Sequence, residues 1–296
     1  MSSRLWLLRV AWITLPLSTG AAASDAIASF DEAARWVGAG LLFASWGAGA
    51  VAVLAPRPVG LTLLRATAPA YALLAIAALV ANETDGLEGW GAVAITIVTA
   101  VLTSMPDIAR AAANGIAYGN EERFPLRVPP ALFIGPLPIV RVAVVVGAAA
   151  GPLLLADGEI AWGIVALVLG LPALVFGARA LHGLSRRWLV LVPAGVVVVD
   201  PMTLAEPVLF VRRQVRTLHA ADVTVPIPGD AADLRLGASL GNVLMDLAEP
   251  VELTRIARGR RGTIATRATQ LLVAVGSRRS FLETAARRGV TASRAR

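Results

Sequence analysis

Arginine supplies nearly all of the chemistry that this chain can offer. All 27 residues in the lysine-plus-arginine count are arginine, there is no cysteine, and the only histidines are His182 and His219. Without cysteine, the chain can form no disulfide, thiolate nucleophile or cysteine-ligated metal centre. Two histidines are too few for a histidine-rich metal site, and the absence of lysine excludes Schiff-base chemistry and a phosphate-loop lysine.

Two arginines, Arg9 and Arg141, fall inside apolar runs of the sequence. A charged residue at membrane depth is costly and is by default a functional hypothesis, so Arg141 could contact a substrate or counter-ion. The alternative is that prolines break the segment before Arg141 and leave it near the inner interface, extended toward lipid headgroups. These prolines are Pro129, Pro130, Pro136 and Pro138. The same two interpretations apply to Arg9.

Two arginine clusters lie in the last 50 residues. Arg255, Arg258, Arg260 and Arg261 fall in a predicted loop, and Arg278 and Arg279 precede a predicted final helix. They could contact anionic inner-leaflet lipids, at about 1 kcal/mol per arginine near the surface. They could equally be solvated charge on a cytoplasmic domain. We expect no nucleic-acid binding, because no aromatic stacking platform accompanies the arginines.

No catalytic constellation is apparent. His219 precedes Asp222 and His182 precedes Ser185, but nothing marks a nucleophile, a base and an orienting acid that converge. We therefore expect no enzymatic activity, no cofactor and no metal.

Long apolar runs predict that the first 181 residues cross a membrane six times. The chain is 56% hydrophobic with a mean hydropathy of +0.70, and a bilayer helix needs roughly 20 apolar residues. The predicted spans lie near residues 5–23, 36–55, 66–81, 90–105, 132–156 and 160–181. The third and fourth are short and can lengthen to include residues 61–64 and 87. The first also resembles a secretory signal, but Arg9 interrupts its apolar stretch, so we expect a retained helix.

Charge in the connecting loops predicts the orientation. One set of loops carries arginines and the other carries acidic residues, and arginine excess marks the cytoplasmic side. Both termini are therefore expected in the cytoplasm of a bacterial cell, with the spans in its plasma membrane. Residues 1–181 hold 10 arginines and 11 acidic residues, whereas residues 182–296 hold 17 and 9, a net charge of +8.

The last third of the chain has the pattern of a small β-rich domain, predicted over residues 182–289. Two hairpins are expected, one turning at Pro193-Ala194-Gly195 and one at Ala248-Glu249-Pro250, with further strands at 207–211 and 271–275. Ser280 and Glu283 form a capping-box pattern that predicts a closing helix over 280–288. Residues 290–296 are expected to be a flexible tail. The predicted fold class is thus a bundle of about six transmembrane helices followed by a small β-rich domain closed by a C-terminal helix.

Several motifs carry a resemblance. The segment 186–195, RRWLVLVPAG, followed by Asp200-Pro201, resembles bacterial pleckstrin-homology-like (PH-like) domains attached to membrane helices. Upstream, 14–17 (TLPL), 56–62 (PRPVGLT) and 182–188 (HGLSRRW) resemble a family of actinobacterial multi-pass membrane proteins to which no activity is assigned. The resemblance implies a PH-like fold for the C-terminal domain and leaves the activity open.

These features favour a non-enzymatic membrane protein that presents a cytoplasmic interaction domain to a protein partner or to inner-leaflet lipid. One alternative is a transporter or channel subunit in which Arg141 contacts an anion. Another, which the lack of acids and histidines in the spans disfavours, is a membrane enzyme acting on lipid.

Overall fold

The computed structural model describes residues 3–28, 30–81, 86–221, 231–257 and 262–293. The chain forms two compact units. A helical unit comprises Met1–Ala112 and Pro136–His182, and a β unit comprises Ala113–Gly135 and Gly183–Arg296. The β unit therefore includes part of the loop between the fourth and fifth predicted spans, not only the C-terminal third of the chain.

The described residues form nine α-helices. In chain order these are α1 Ser3–Ala28, α2 Glu32–Leu54, α3 Pro58–Val80, α4 Gly86–Ser104, α5 Pro106–Asn114, α6 Pro130–Ile134, α7 Pro136–Ala156, α8 Ile160–Ser185 and α9 Arg278–Arg287. Six of them, α1 to α4, α7 and α8, are long and apolar enough to cross a membrane. The six predicted spans are confirmed, and the chain is a multi-pass membrane protein.

Of the six spans, α8 begins at the predicted residue and the other five begin two to eight residues away, for α3 and α7 with a visible cause. α3 begins at Pro58, not at 66, although Arg65 interrupts its apolar run. The helix can include Arg65 because Nε of this residue donates to the Thr103 carbonyl at 3.1 Å and is not left unpaired. α7 begins at Pro136, not at 132, because the short helix α6 ends in a break at Gly135. Prolines lack the N–H that a continuous helix would need here.

A reciprocal pair of tryptophans joins α1 to α2. Pro16 has no N–H, so the carbonyl of Trp12, one turn earlier, lacks its helical donor. Nε1 of Trp46 donates to this carbonyl at 3.0 Å, and Nε1 of Trp12 donates to the Trp46 carbonyl at 2.9 Å. The approach depends on Gly49, because a Cβ there would overlap the buried Trp12 ring.

Glycines let α7 and α8 pack closely. A Cβ on Gly147 would lie 2.5 Å from the carbonyl oxygen of Gly170, and one on Gly151 would lie 2.5 Å from the Leu167 side chain. A Cβ on Gly177 would meet Val144 at 2.6 Å. Gly147, Gly151 and Gly177 are therefore positions at which a small residue allows close helix packing.

The described residues of the β unit form two sheets. Its strands are β1 Glu122–Pro125, β2 Trp188–Val192, β3 Gly195–Val199, β4 Val208–Val211, β5 Val215–Ala220, β6 Ala231–Asp233, β7 Asn242–Ile256, β8 Thr263–Ala274 and β9 Ala292–Ser293. One sheet has the order β1-β2-β3-β4 and is antiparallel throughout. The other has the order β6-β8-β7-β5-β9, with β6 and β9 as parallel edge strands. The predicted hairpin at Pro193-Ala194-Gly195 is confirmed as the β2–β3 connection.

Strand β1 comes from the loop between α4 and α7. The loop contains helix α5 and then β1, which pairs with β2 in the register Glu122↔Leu191 to Pro125↔Trp188. The sequence gives no signal for this strand, because its four residues include two charges and a proline.

The two sheets and α9 share one hydrophobic core. Phe124 from β1 and Phe281 from α9 are fully buried and pack edge-to-face, with ring centroids 5.2 Å apart. Leu282 and Ala285 of α9 are also buried, so this helix closes the core. The predicted fold class is confirmed: six long apolar helices are followed by a β-rich unit with a closing C-terminal helix.

Three local predictions in the β unit are wrong. Ala248-Glu249-Pro250 is not a turn: β7 continues through it, and the register shift between Asp246 and Val251 absorbs these exposed residues as a bulge. The closing helix begins at Arg278, with Ser277 at its N-cap and no side-chain cap bond, so Ser280 is inside the helix. The chain after Gly289 is not wholly a flexible tail, because Val290 is buried in the core and β9 pairs with β5.

A buried ion pair lies at the centre of the β unit. Arg187 and Asp200 are 1% and 2% exposed, and the guanidinium binds the carboxylate through two hydrogen bonds of 2.8 Å. Arg187 also donates to the carbonyls of Arg127 and Leu234 at 3.1 Å, and the Asp200 carboxylate accepts the Met202 N–H. Such extra bonds are what allow a buried pair to offset its desolvation cost.

Candidate functional site

Arg9 caps the end of a helix. Its Nε donates to the Val53 carbonyl at 2.9 Å and its Nη2 donates to the Leu54 carbonyl at 3.2 Å. These carbonyls belong to the last turn of α2, where no intrahelical donor reaches them and where a positive charge is favourable. This contact explains a charge in an apolar run without requiring a ligand.

Arg141 has no equivalent partner. It is the sixth residue of α7, about 7.5 Å along the axis from the start of the helix. Its Nε is buried and forms no hydrogen bond with the described residues. α7 packs against α3, whose Arg65 lies close enough for the two charges to interact. The structure thus brings together two arginines, one of which was not singled out from the sequence.

The predicted cluster around Arg255 is only partly described. Arg258, Arg260 and Arg261 lie outside the described residues. Arg255 is not in a loop: it is half-buried in β7, and its Nη2 donates to the Asp233 carbonyl at 3.0 Å. Its role in the described structure is therefore to join β7 to the edge strand β6.

Arg278 and Arg279 do not precede the closing helix but begin it. Arg279 is 91% exposed and pairs with Glu283 at 2.9 Å, one turn further on. Arg255 faces Ile264 in the ladder, whereas α9 follows the end of β8 at Ala274. Ten residues of strand correspond to about 33 Å, so Arg255 lies at the opposite end of the ladder from Arg278 and Arg279 and cannot form one site with them.

A different basic surface lies where the end of α9 meets the 3-10 turn Arg212–Gln214. A Cβ on Gly289, just after α9, would lie 3.7 Å from Nη1 of Arg212. We call Arg212, Arg213, Arg287 and Arg288 the basic surface; the first three are exposed. The RR pairs at 212–213 and 287–288 were visible in the sequence, but 73 residues separate them, so only the fold could show their proximity.

His219 lies beside Asp246, whereas its sequence neighbour Asp222 lies outside the described residues. Nδ1 of His219 is 3.4 Å from the Asp246 carboxylate, which also accepts bonds from Thr217 and from Gln270, each at 2.6 Å. The Thr217 hydroxyl donates to the same carboxylate that His219 faces. The histidine is therefore not placed to take a proton from this hydroxyl.

An apolar cavity of about 250 Å³ lies among α1, α2 and α3. Its wall includes Thr19, Phe43, Trp46 and Tyr71. The Tyr71 hydroxyl is hydrogen-bonded to Ser45 at 2.5 Å and donates to the Leu42 carbonyl at 3.0 Å, so this polar group is engaged within the helical unit.

No group of three or more acidic, histidine or cysteine residues that could hold a metal ion occurs in the described part of the chain. The chain matches no protein-family model, and searches of curated proteins and of solved structures give no match to it.

Proposed function

We propose that this protein is a non-enzymatic anchor in a bacterial plasma membrane, and that it presents a cytoplasmic PH-like interaction domain to a protein partner or to inner-leaflet lipid. The observation that carries the proposal is the basic surface on the β unit, which gathers arginines from two distant parts of the chain at the end of the closing helix. The positive charge of this surface favours an anionic partner.

The pairing of β1 with β2 supports the proposed topology. β1 precedes α7 and β2 follows α8, so the two spans must return the chain to the side from which it left. The loop that contains β1 also carries Arg110, Arg123 and Arg127. Arginine-rich loops lie on the cytoplasmic side, which favours a cytoplasmic β unit and cytoplasmic termini.

The architecture of the β unit supports the PH-like interpretation. Two sheets with antiparallel centres enclose one core, and a C-terminal helix closes it. The motif on which the resemblance depends also has a physical role, since Arg187 and Asp200 form the buried ion pair. Of these features, only the basic surface has exposed side chains, those of Arg212, Arg213 and Arg287, that are available to a partner.

The proposal is tested by purifying the full chain in mild detergent and identifying the co-purifying proteins and lipids by mass spectrometry. We expect a stoichiometric protein partner or retained anionic phospholipid. Arg213→Gln and Arg287→Gln, each made singly, should reduce the amount of this partner or phospholipid that is recovered with the chain. Arg267→Gln removes an equally exposed charge from β8 and serves as the matched control. Recovery that is the same for all three variants would refute a role for the basic surface.

The alternative of a transporter or channel subunit is favoured by one observation: the buried Nε of Arg141 has no hydrogen-bond partner in the part of the chain that the structure describes. Uptake of a labelled anion into vesicles that contain the purified protein would support this alternative. Uptake equal to that of protein-free vesicles would reject it.

A further inference from the structure

Arg141 differs from Arg9 and Arg65, two other arginines of the apolar helices, in what its guanidinium contacts. Arg9 and Arg65 each direct Nε to a carbonyl in the last turn of a helix, α2 and α4 respectively. Nε of Arg141 is buried but forms no hydrogen bond with the described residues. A buried donor without an acceptor is destabilising, and more so when it is charged. The position of Arg141 is therefore explained only if something else accepts this bond.

Arg65, on the neighbouring helix α3, adds a second positive charge near Arg141. Its bond to Thr103 uses one of the five donors that a guanidinium carries. Among the described residues, no carboxylate forms an ion pair with Arg65 or Arg141. Two neighbouring like charges in a poorly solvated position repel each other. An anion between them would remove this repulsion and satisfy the donor that is left over.

We propose that Arg65 and Arg141 form a binding site for a phosphate group at the end of the helical unit where α3 and α7 begin. Guanidinium groups bind phosphate oxygens through paired, charge-assisted hydrogen bonds, and a phosphate offers enough acceptors for two arginines. Two sources have this chemistry: the headgroup of an anionic phospholipid and free inorganic phosphate. The inference concerns the helical unit and does not depend on what the β unit binds.

The test is equilibrium binding to the full chain in detergent, with two probes used separately. One probe is radiolabelled inorganic phosphate and the other is a short-chain phosphatidylglycerol, each at constant ionic strength set with chloride. The variants are Arg141→Gln and, as the matched control, Arg57→Gln. Arg57 is an exposed arginine at the N-cap of α3, so its replacement removes the same charge from the same end of the unit.

We expect saturable binding of one probe per chain, and Arg141→Gln should weaken it about tenfold to a hundredfold, the loss of a hydrogen bond to a charged group. Arg57→Gln should bind as the unmodified protein does. Binding of inorganic phosphate identifies the free anion, and binding of phosphatidylglycerol alone identifies the headgroup. Equal weakening by both variants would show a general charge effect and overturn the site.

The proposal stays falsifiable if Arg141→Gln does not fold. The unmodified protein must still bind one of the two probes saturably when it elutes as a single species from size-exclusion chromatography. Absence of saturable binding for both probes would overturn the proposal without any variant.

Discussion

Replacing Asp200 by asparagine should destabilise the β unit far more than replacing one partner of an exposed ion pair. The substitution preserves the shape of the side chain but removes the charge that faces Arg187. Both residues are almost completely buried, and two bonds of 2.8 Å join them. Removing one partner of a buried ion pair leaves an uncompensated charge and costs about 3–5 kcal/mol. The stability of the β unit should fall by that amount.

Hydrogen–deuterium exchange of the full chain in lipid nanodiscs measures this loss locally. The peptides to follow are those that contain β2 and β3, which bear Trp188 and precede Asp200. A loss of about 3–5 kcal/mol corresponds to exchange that is faster by roughly two to three and a half orders of magnitude. Arg279→Gln is the control, because its exposed pair with Glu283 is one helical turn apart and such pairs contribute only about 0.3–0.5 kcal/mol.

A double variant separates charge burial from packing. Arg187→Met combined with Asp200→Leu removes both charges and should recover part of the loss. Recovery will be incomplete, because the carbonyls of Arg127 and Leu234 lose the donors that Arg187 supplies. If Asp200→Asn exchanges no faster than Arg279→Gln, or if the double variant is much less stable than Asp200→Asn, the reasoning about this pair is refuted.

Three further substitutions test the packing. Gly49→Ala should lower the midpoint of thermal unfolding in detergent, at a cost of about 1–3 kcal/mol for overpacking, whereas Gly47→Ala, where a Cβ meets nothing within 4 Å, should not. Phe124→Ala should cost about 3–5 kcal/mol and raise hydrogen exchange in β2, and unchanged exchange would contradict a role for β1 in the core. Gly147→Ala should move α7 away from α8 at Gly170. The measurement is the yield of a disulfide between two cysteines engineered across that contact, which this substitution should lower.

The spans were predictable because a run of about 20 apolar residues has few other stable solutions. Their ends were not, because they depend on contacts between helices. Arg65 looked like a boundary, yet α3 includes it because Nε finds the Thr103 carbonyl. Arg9 likewise looked like a site, and the structure uses it to cap α2.

The β unit was predictable where neighbouring segments pair, as in the β2–β3 hairpin. It was not predictable where partners lie far apart in sequence. β1 and β2 pair although two membrane spans separate them in the sequence. Pro250 is accommodated in a bulge because β7 pairs with β8 on both sides of it. Composition alone cannot distinguish such a bulge from a turn.

The basic surface and the Arg65–Arg141 site were likewise not predictable, because their residues lie far apart in the sequence. In each case the sequence shows the arginines, but their neighbours are set by tertiary packing. Arg141 could be singled out for its position in an apolar run, whereas Arg65 becomes a candidate only because α7 packs against α3.

The location of the β unit on the cytoplasmic side is the claim on which the proposed function depends, and the absence of cysteine makes it directly measurable. Leu87→Cys and Tyr118→Cys each introduce a single thiol, at positions that are 91% and 89% exposed. We predict that a membrane-impermeant maleimide labels Leu87→Cys on intact cells and labels Tyr118→Cys only after the cells are broken. Labelling of Tyr118→Cys on intact cells would place the β unit outside and contradict the account.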